Sequence, residues 1–188
     1  LLKRIKSHLK KVRPSRGRGN EFVKSGNVSV DFLKSWYLDS RLGGACNHET
    51  RGNLASDLHR YFFAAVYGEL NGVSPKLQDF PKKLLPKHKN TKKAIKEGLF
   101  NDRFRVQVKG RPATTVTSHI SKDGHYFIHP DSTQCRSLTV REAARIQTFP
   151  DNYFFCGPRT SQYVQVGNAV PPLLAKKIAE KVYSVLAG

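Results

Sequence analysis

Thiols, imidazoles and paired carboxylates are the side chains from which catalysis is most often built, and in this chain they are scattered. Cys46, Cys135 and Cys156 lie in Ala-Cys-Asn, Gln-Cys-Arg and Phe-Cys-Gly. They are odd in number and without C-x-x-C spacing, so no disulfide framework is expected and a reducing cytosol suits the chain best. Cys46-x-His48 is a lone C-x-H, and His125 and His129 share a face only if both lie on one five-residue strand. Neither set makes a zinc site, and no metal is expected. No Ser/His/Asp order and no glycine-rich phosphate loop of the G-x-x-x-x-G-K-[ST] or G-x-G-x-x-G kind is present.

Residue types are densely patterned only in the last third. Arg136, Thr139, Arg141, Glu142 and Arg145 crowd one short stretch. Thr139-Val-Arg-Glu142 has the spacing of a capping box, in which the Thr and Glu side chains satisfy each other's backbone donors at a helix start. Ala143, Ala144 and Ile146 then face inward, and the arginines are suited to brace loops through bidentate hydrogen bonds. Further on, Gly167-Asn168-Ala169-Val170 is read as a turn into Pro171-Pro172. Leu174, Ile178, Val182 and Val185 follow at the spacing of one helical stripe. A proline suits the first turn of that helix, where its missing N–H costs nothing.

The cationic side chains give the other chemical signal. The chain of 188 residues has 33 Lys and Arg against 14 Asp and Glu, a net charge of +19. Residues 1–110 hold 24 basic and 9 acidic residues, and residues 111–188 hold 9 and 5. A field of that size and placement favours a polyanion, and without a membrane-like amphipathic pattern the polyanion is nucleic acid. Residues 1–20 contain eight Lys or Arg and no acid. No secretory signal or membrane span is legible.

The elements that must carry these residues follow from periodicity. Leu1, Ile5, Leu9 and Val12 make one face of a short basic helix, followed by the glycine-bearing basic linker Arg13–Gly19. Ser56–Leu70 is the strongest helix of the first half, with Leu58, Tyr61, Phe62, Ala65, Val66 and Leu70 inward and Asn71-Gly72 ending it. Residues 74–90 are rich in Pro and Lys and read as irregular surface, and Thr91 caps a short helix that Gly98 ends. From Arg103 the period becomes two, which predicts three antiparallel strands over 103–108, 114–120 and 125–129. Residues 151–166 read as irregular aromatic chain. The expected fold class is α+β, a small antiparallel sheet with helices, divided as 1–20, 21–135 and 136–188.

The stretch Arg136–Pro150 resembles the R-x-L-T-x-R-E-x-A-R-x-Q-x-F-P signature of the DNA cytosine-5 methyltransferases. Gln162–Ala175 resembles their closing Q-x-G-N-x-V-P-P signature, in the right order and with family-like spacing. The upstream Pro112–Pro130 stretch is also similar to what precedes these motifs in bacterial members. The resemblance implies that the closing motif returns the chain from a DNA-reading domain to a large Rossmann-like domain, where Asn168, Ala169 and Val170 line an S-adenosylmethionine pocket. Leu174, Ile178 and Val182 then pack the last helix on that domain. A cap that binds nothing is the competing reading of Asn168.

The same resemblance makes Arg136, Thr139, Arg141, Glu142 and Arg145 structural organisers of the DNA-reading domain. Expected phosphate contacts are Arg13, Arg16, Arg18, Lys82, Lys83, Lys87 and Lys89, and the expected partners are double-stranded DNA and a catalytic domain or subunit. The family's Pro-Cys-Gln nucleophile and its Glu-Asn-Val carboxylate do not occur in these 188 residues. No residue here is therefore expected to be catalytic. The expectation is a C-terminal DNA-recognition portion of such an enzyme, inactive alone, cytoplasmic and nucleoid-associated. The competing class is a non-catalytic DNA-binding module; an RNA-binding protein of ribosomal type would leave the closing motifs unexplained.

Overall fold

The computed structural model describes residues 18–24, 32–88 and 90–188. The basic helix expected over 1–12 lies outside them. The fold is α+β. A two-stranded antiparallel sheet pairs β1 (Gly19–Lys24) with β2 (Gly44–Glu49), in a register that sets Phe22 opposite Cys46 and Asn20 opposite His48. The helices are α1 (Lys34–Tyr37), α2 (Ala55–Asn71), α3 (Thr91–Glu97), α4 (Val140–Ile146), α5 (Arg159–Asn168) and α6 (Pro172–Leu186). The chain forms two compact units. One contains Thr50–Thr115 and Asp123–Leu138; the other contains Gly19–Glu49, Val116–Lys122 and Thr139–Gly188. Among the described residues no helix is long and apolar enough to cross a membrane.

The first unit is built around α2. Gly72 ends this helix in the left-handed region at φ 66°, its N–H donating to the Gly68 carbonyl at 2.9 Å, a conformation that glycine adopts without steric cost. Residues 61 to 66 are all buried, so the middle of α2 is enclosed rather than one-sided, whereas Leu70 is exposed. Its partners are Leu77, Phe80, Phe104, Val106 and Ile128. Phe63, Phe80 and Phe104 form a run of rings with centroids 4.6 and 5.6 Å apart, and the His125 ring stands 4.8 Å beyond Phe104. The Pro- and Lys-rich segment contains two 3-10 turns, Leu77–Asp79 and Lys82–Leu84. Asn90, not Thr91, is the N-cap residue of α3; the Thr91 hydroxyl instead donates to the Pro86 carbonyl.

The three antiparallel strands expected beyond Arg103 do not form. Val106 bridges Ile128 in parallel sense, Ile128 bridges Ser137, and Ser118–Ser121 is a 3-10 turn. The physical reason is visible at Gln107. Its buried side-chain amide donates to the Tyr126 carbonyl at 3.0 Å and accepts from the Thr114 N–H at 3.1 Å. The amide thereby takes over bonding that a backbone ladder would supply. The alternation that suggested a strand holds as burial only as far as Val106, with Phe104 and Val106 inside and Arg103 partly exposed, and it breaks at the buried Gln107.

In the second unit, α5 packs on the Ser118–Ser121 turn. This helix corrects two expectations: residues 151–166 are not wholly irregular, and Gly167-Asn168 are its last residues rather than a turn. Gly167 is there for proximity. A Cβ at this position would run into the backbone of Thr117 and Ser118.

Gly-to-Ala changes within helices ordinarily stabilise, but Gly167→Ala is expected to cost about 1–3 kcal/mol through overpacking against backbone, read as a lowered urea midpoint at unchanged slope. A second expectation concerns acid. The Tyr61 hydroxyl lies 2.8 Å from His125 Nδ1, and burial lowers the His125 pKa against the opposing pull of the Asp123 carboxylate. Unfolded His125 therefore takes up its proton first on acidification, so this contribution is complete above the ordinary histidine range near ~6.5 and is lost as pH falls through it. The urea midpoint should drop between about pH 7.5 and about pH 5, which brackets the ordinary histidine range, and His125→Gln should shrink the drop.

Candidate functional site

The site is built outward from α4. Thr139 Oγ1 accepts from the Glu142 N–H at 3.1 Å, and Glu142 Oε2 accepts from the Thr139 N–H at 2.8 Å. Both halves of the capping box are present, which fixes where the helix begins. The Thr139 hydroxyl also sits 3.2 Å from His48 Nδ1, next to β2.

Arg141, in the first turn of α4, is only 1% exposed. Its Nε donates to the Cys46 carbonyl at 2.8 Å and Nη1 to the Pro150 carbonyl at 2.9 Å, while Nη2 reaches Asn47 Oδ1 at 3.4 Å and the Tyr153 carbonyl. Burial lowers its pKa, with the Asp151 carboxylate opposing, yet a guanidinium stays charged at any physiological pH. Asn47, in the left-handed region at φ 55°, completes the network: its amide donates to the Phe155 carbonyl at 2.9 Å and accepts from the Phe155 N–H at 3.0 Å. Arg145 holds the next loop differently, through a bidentate pair with buried Asp151 at 2.8 and 2.6 Å. That hydrogen-bonded carboxylate raises the Arg145 pKa.

Past the end of α4 two consecutive residues pin the connector into α6. Gln147 Nε2 donates to the carbonyls of Val116, Val166 and Ala169 at 3.3, 3.2 and 3.5 Å. Thr148 lies in the left-handed region at φ 62° and its carbonyl accepts from Trp36 Nε1 at 2.8 Å. Its Oγ1 accepts from the Leu173 N–H at 3.0 Å. Pro171 is the N-cap residue of α6 and Pro172 its first residue, so neither offers a capping side chain or a donor. Thr148, distant in sequence, supplies the acceptor that the helix start lacks.

The three residues expected on the cofactor side sit together on this connector. Asn168 ends α5 with an exposed side chain, Ala169 is extended, and Val170 is 62% exposed. Beyond them α6 has no buried residue: Leu174, Ile178 and Val182 are each about half exposed. The connector Asn168–Pro172 carries no nucleophile; what it offers is a pinned backbone presenting an amide beside apolar side chains. Among the described residues no group of three or more His, Cys, Asp or Glu could hold a metal.

The other expected site residues lie elsewhere. Thr139, Arg141, Glu142 and Arg145 gather on α4 in the second unit, whereas Arg136 belongs to the first, bonded to Gln134 Oε1 and the Ser137 carbonyl. Arg18 is exposed, as are Lys82, Lys83 and Lys87 on and after the second 3-10 turn. Arg13, Arg16 and Lys89 lie outside the described residues. Sequence reasoning missed Asn47, Gln147, Thr148 and Asp151. Gln147 stands inside the first quoted signature, which was its only sequence signal; Asn47 had none.

The profile of the family described as C-5 cytosine-specific DNA methylase matches residues 55–184. The type II methyltransferase M.Bpa9945I of Bacillus paralicheniformis is 45% identical over 185 residues, covering 97% of this chain and 40% of its own length. M1.HphI of Haemophilus parahaemolyticus is 37% identical over 136 residues, 72% of this chain and 30% of its own. The type II methyltransferase M.AgeI of Thalassovita gelatinovora is 43% identical over 83 residues, 44% and 19% respectively. This chain thus spans well under half the length of these relatives. With a profile match over most of its described residues and both signatures in place, the chain belongs to the C-5 cytosine-specific DNA methylase family.

Proposed function

We propose that this chain is the DNA-recognition and closing portion of a DNA cytosine-5 methyltransferase, which transfers a methyl group from S-adenosylmethionine to carbon 5 of a cytosine flipped out of the duplex. The observation that carries the reading is the bare apolar stripe of α6, Leu174, Ile178 and Val182, set directly after a connector that Gln147 and Thr148 hold rigid. A helix with no buried residue, beginning at so closely fixed a point, is shaped to receive another surface. The surface assigned to it is the Rossmann-like catalytic domain, and the division of the chain intended by the signatures is 21–135 for recognition and 136–188 for closure.

On this reading Asn168, Ala169 and Val170 face the cofactor. The residues fit such a ligand: an exposed amide for polar recognition adjoins an exposed valine for apolar contact, on backbone that does not have to reorganise. S-adenosylmethionine, when bound, supplies the electrophilic methyl group. The roles left to this chain are to orient the cofactor side through Asn168, to keep α4 and the loops around it in place through Thr139, Arg141, Glu142 and Arg145, and to hold DNA. Arg136 organises the first unit in the same sense. Flipping a base costs a few kcal/mol, offset by contacts to the distorted duplex, and Arg13, Arg16, Arg18, Lys82, Lys83, Lys87 and Lys89 are assigned to phosphates. The isolated 188 residues, without Pro-Cys-Gln or Glu-Asn-Val, transfer no methyl group.

The test is complementation. Joined to a catalytic portion carrying those two motifs, the chain should support incorporation of labelled methyl into duplex DNA; the chain alone should not. Methyl transfer by the chain alone, or failure to associate with any such portion, would sink the assignment. In the joined protein, Asn168→Ala should weaken S-adenosylmethionine binding roughly tenfold, the size of one lost hydrogen bond, and DNA binding much less. Equal losses, or none, would leave Asn168 as a helix terminus only. For the isolated chain, affinity for duplex DNA should fall more than about a thousandfold between roughly 50 and 200 mM salt, as about seven phosphate contacts require. A flat salt dependence would contradict the electrostatic part of the reading.

A further inference from the structure

Phe100 is 83% exposed and Leu99 beside it 59% exposed, an unusual pair to leave in water at the tip of a turn. Phe100 also lies in the left-handed region at φ 54°, where a bulky side chain is strained. The turn is nonetheless held. The Leu77 N–H donates to the Asn101 carbonyl at 2.6 Å, and Asn101 Nδ2 donates to Gln78 Oε1 at 3.2 Å. Strain kept in place by surrounding bonds, at a residue that contributes nothing to the core, is a feature of functional sites.

The setting of these two residues identifies the occupant. Residues 82–111 contain eleven Lys or Arg against two acids, Glu97 and Asp102. Leu99 and Phe100 line an open groove of about 510 Å³ together with Lys93, Arg103 and Tyr126 and with the carboxylates Glu97 and Asp123. Several cations here are engaged locally, Lys93 with Glu97, Arg103 with Asp123 and Arg105 with Asp102, but Lys92 and Lys96 on the same short helix are exposed. A protein interface is depleted of charge at its core, and this surface is the reverse. Apolar side chains projecting from a cationic surface match the way proteins wedge between base steps.

We infer that Phe100, with Leu99 behind it, is a DNA-unstacking wedge: the Phe100 ring stacks on a base or enters between two base pairs while the surrounding lysines hold the flanking phosphates. The inference rests on the DNA-recognition reading above and adds to it a base-contacting element and a mode of duplex distortion. Preorganisation by the Asn101 bonds means that the wedge is rigid before DNA arrives, so little ordering entropy opposes insertion.

The experiment uses the 188-residue chain with a random-sequence duplex as the probe. Phe100→Trp adds one indole to the single native Trp36. DNA should quench the added emission, while affinity stays within about twofold of the unsubstituted chain. Phe100→Ala should bind about tenfold more weakly, the lower part of the range for a lost base–aromatic stack, with the salt slope unchanged because no phosphate contact is removed. Phe100→Asn, which tolerates the left-handed backbone, should behave like Phe100→Ala and guards against an effect on folding. Steep salt-dependent binding with no quenching and no loss in either variant would overturn the wedge and leave DNA recognition standing. Absence of salt-dependent binding in the unsubstituted chain would remove both. Emission of Phe100→Trp that changes with protein concentration, in the absence of DNA and not on its addition, would overturn the wedge in favour of a second copy of the chain.

Discussion

A buried guanidinium organises the second unit. Among the described residues Arg141 hydrogen-bonds to no carboxylate; its donors are spent on oxygens from β2 and from the loop after α4. Removing an arginine from water is costly, and the cost is acceptable only when its N–H groups are met by acceptors at fixed positions. The relation also runs the other way, since the backbone oxygens at Cys46, Pro150 and Tyr153 are satisfied by that one side chain. The β2 strand, the loop and the helix are thus mutually dependent, and Asn47 ties in Phe155 as a fourth member. A lysine at this position would supply a charge without the planar fork that reaches separate carbonyls.

The connector to α6 repeats the logic with neutral groups. Gln147 spreads one amide over three carbonyls, and Thr148 caps a helix in which it does not take part. Two prolines at the helix start make this outside help necessary, and Gly167 makes room for it by allowing α5 to lie against the Thr117–Ser118 backbone. The outcome is rigid backbone carrying exposed side chains at Asn168 and Val170, the condition under which a binding surface needs no reorganisation.

What could be read in the sequence was local or periodic. The capping box at Thr139 and Glu142 spans four residues and formed as the spacing predicts, and α2 declared itself through its apolar repeat and its Gly72 stop. The failures have one cause, partners far away along the chain. Alternation at residues 103–108 reports burial of one side, which an irregular segment bonded by the Gln107 amide also satisfies. Gly167-Asn168 reads as a turn because both residues favour turns, whereas the glycine answers to backbone fifty residues upstream, a distance that no local pattern encodes. The β1–β2 ribbon went unread for the same reason: its short strands, β1 mostly exposed and β2 half-buried, have almost no apolar alternation.

The bond between Arg141 and the Cys46 carbonyl joins residues 95 positions apart, which gives the fold a timetable. At a synthesis rate of about 5–20 residues per second, β2 leaves the ribosome roughly five to twenty seconds before the arginine that satisfies it. During that interval the Cys46 carbonyl has only water in place of Arg141 and the ribbon has open edges, and only the first unit, whose α2 core is complete once Ile128 is made, has the means to fold. The chain therefore matures from its middle outward. The strands β1 and β2 wait on helix α4, and any release of the chain before residue 141 leaves the first unit folded and the ribbon unfinished and pairing-prone.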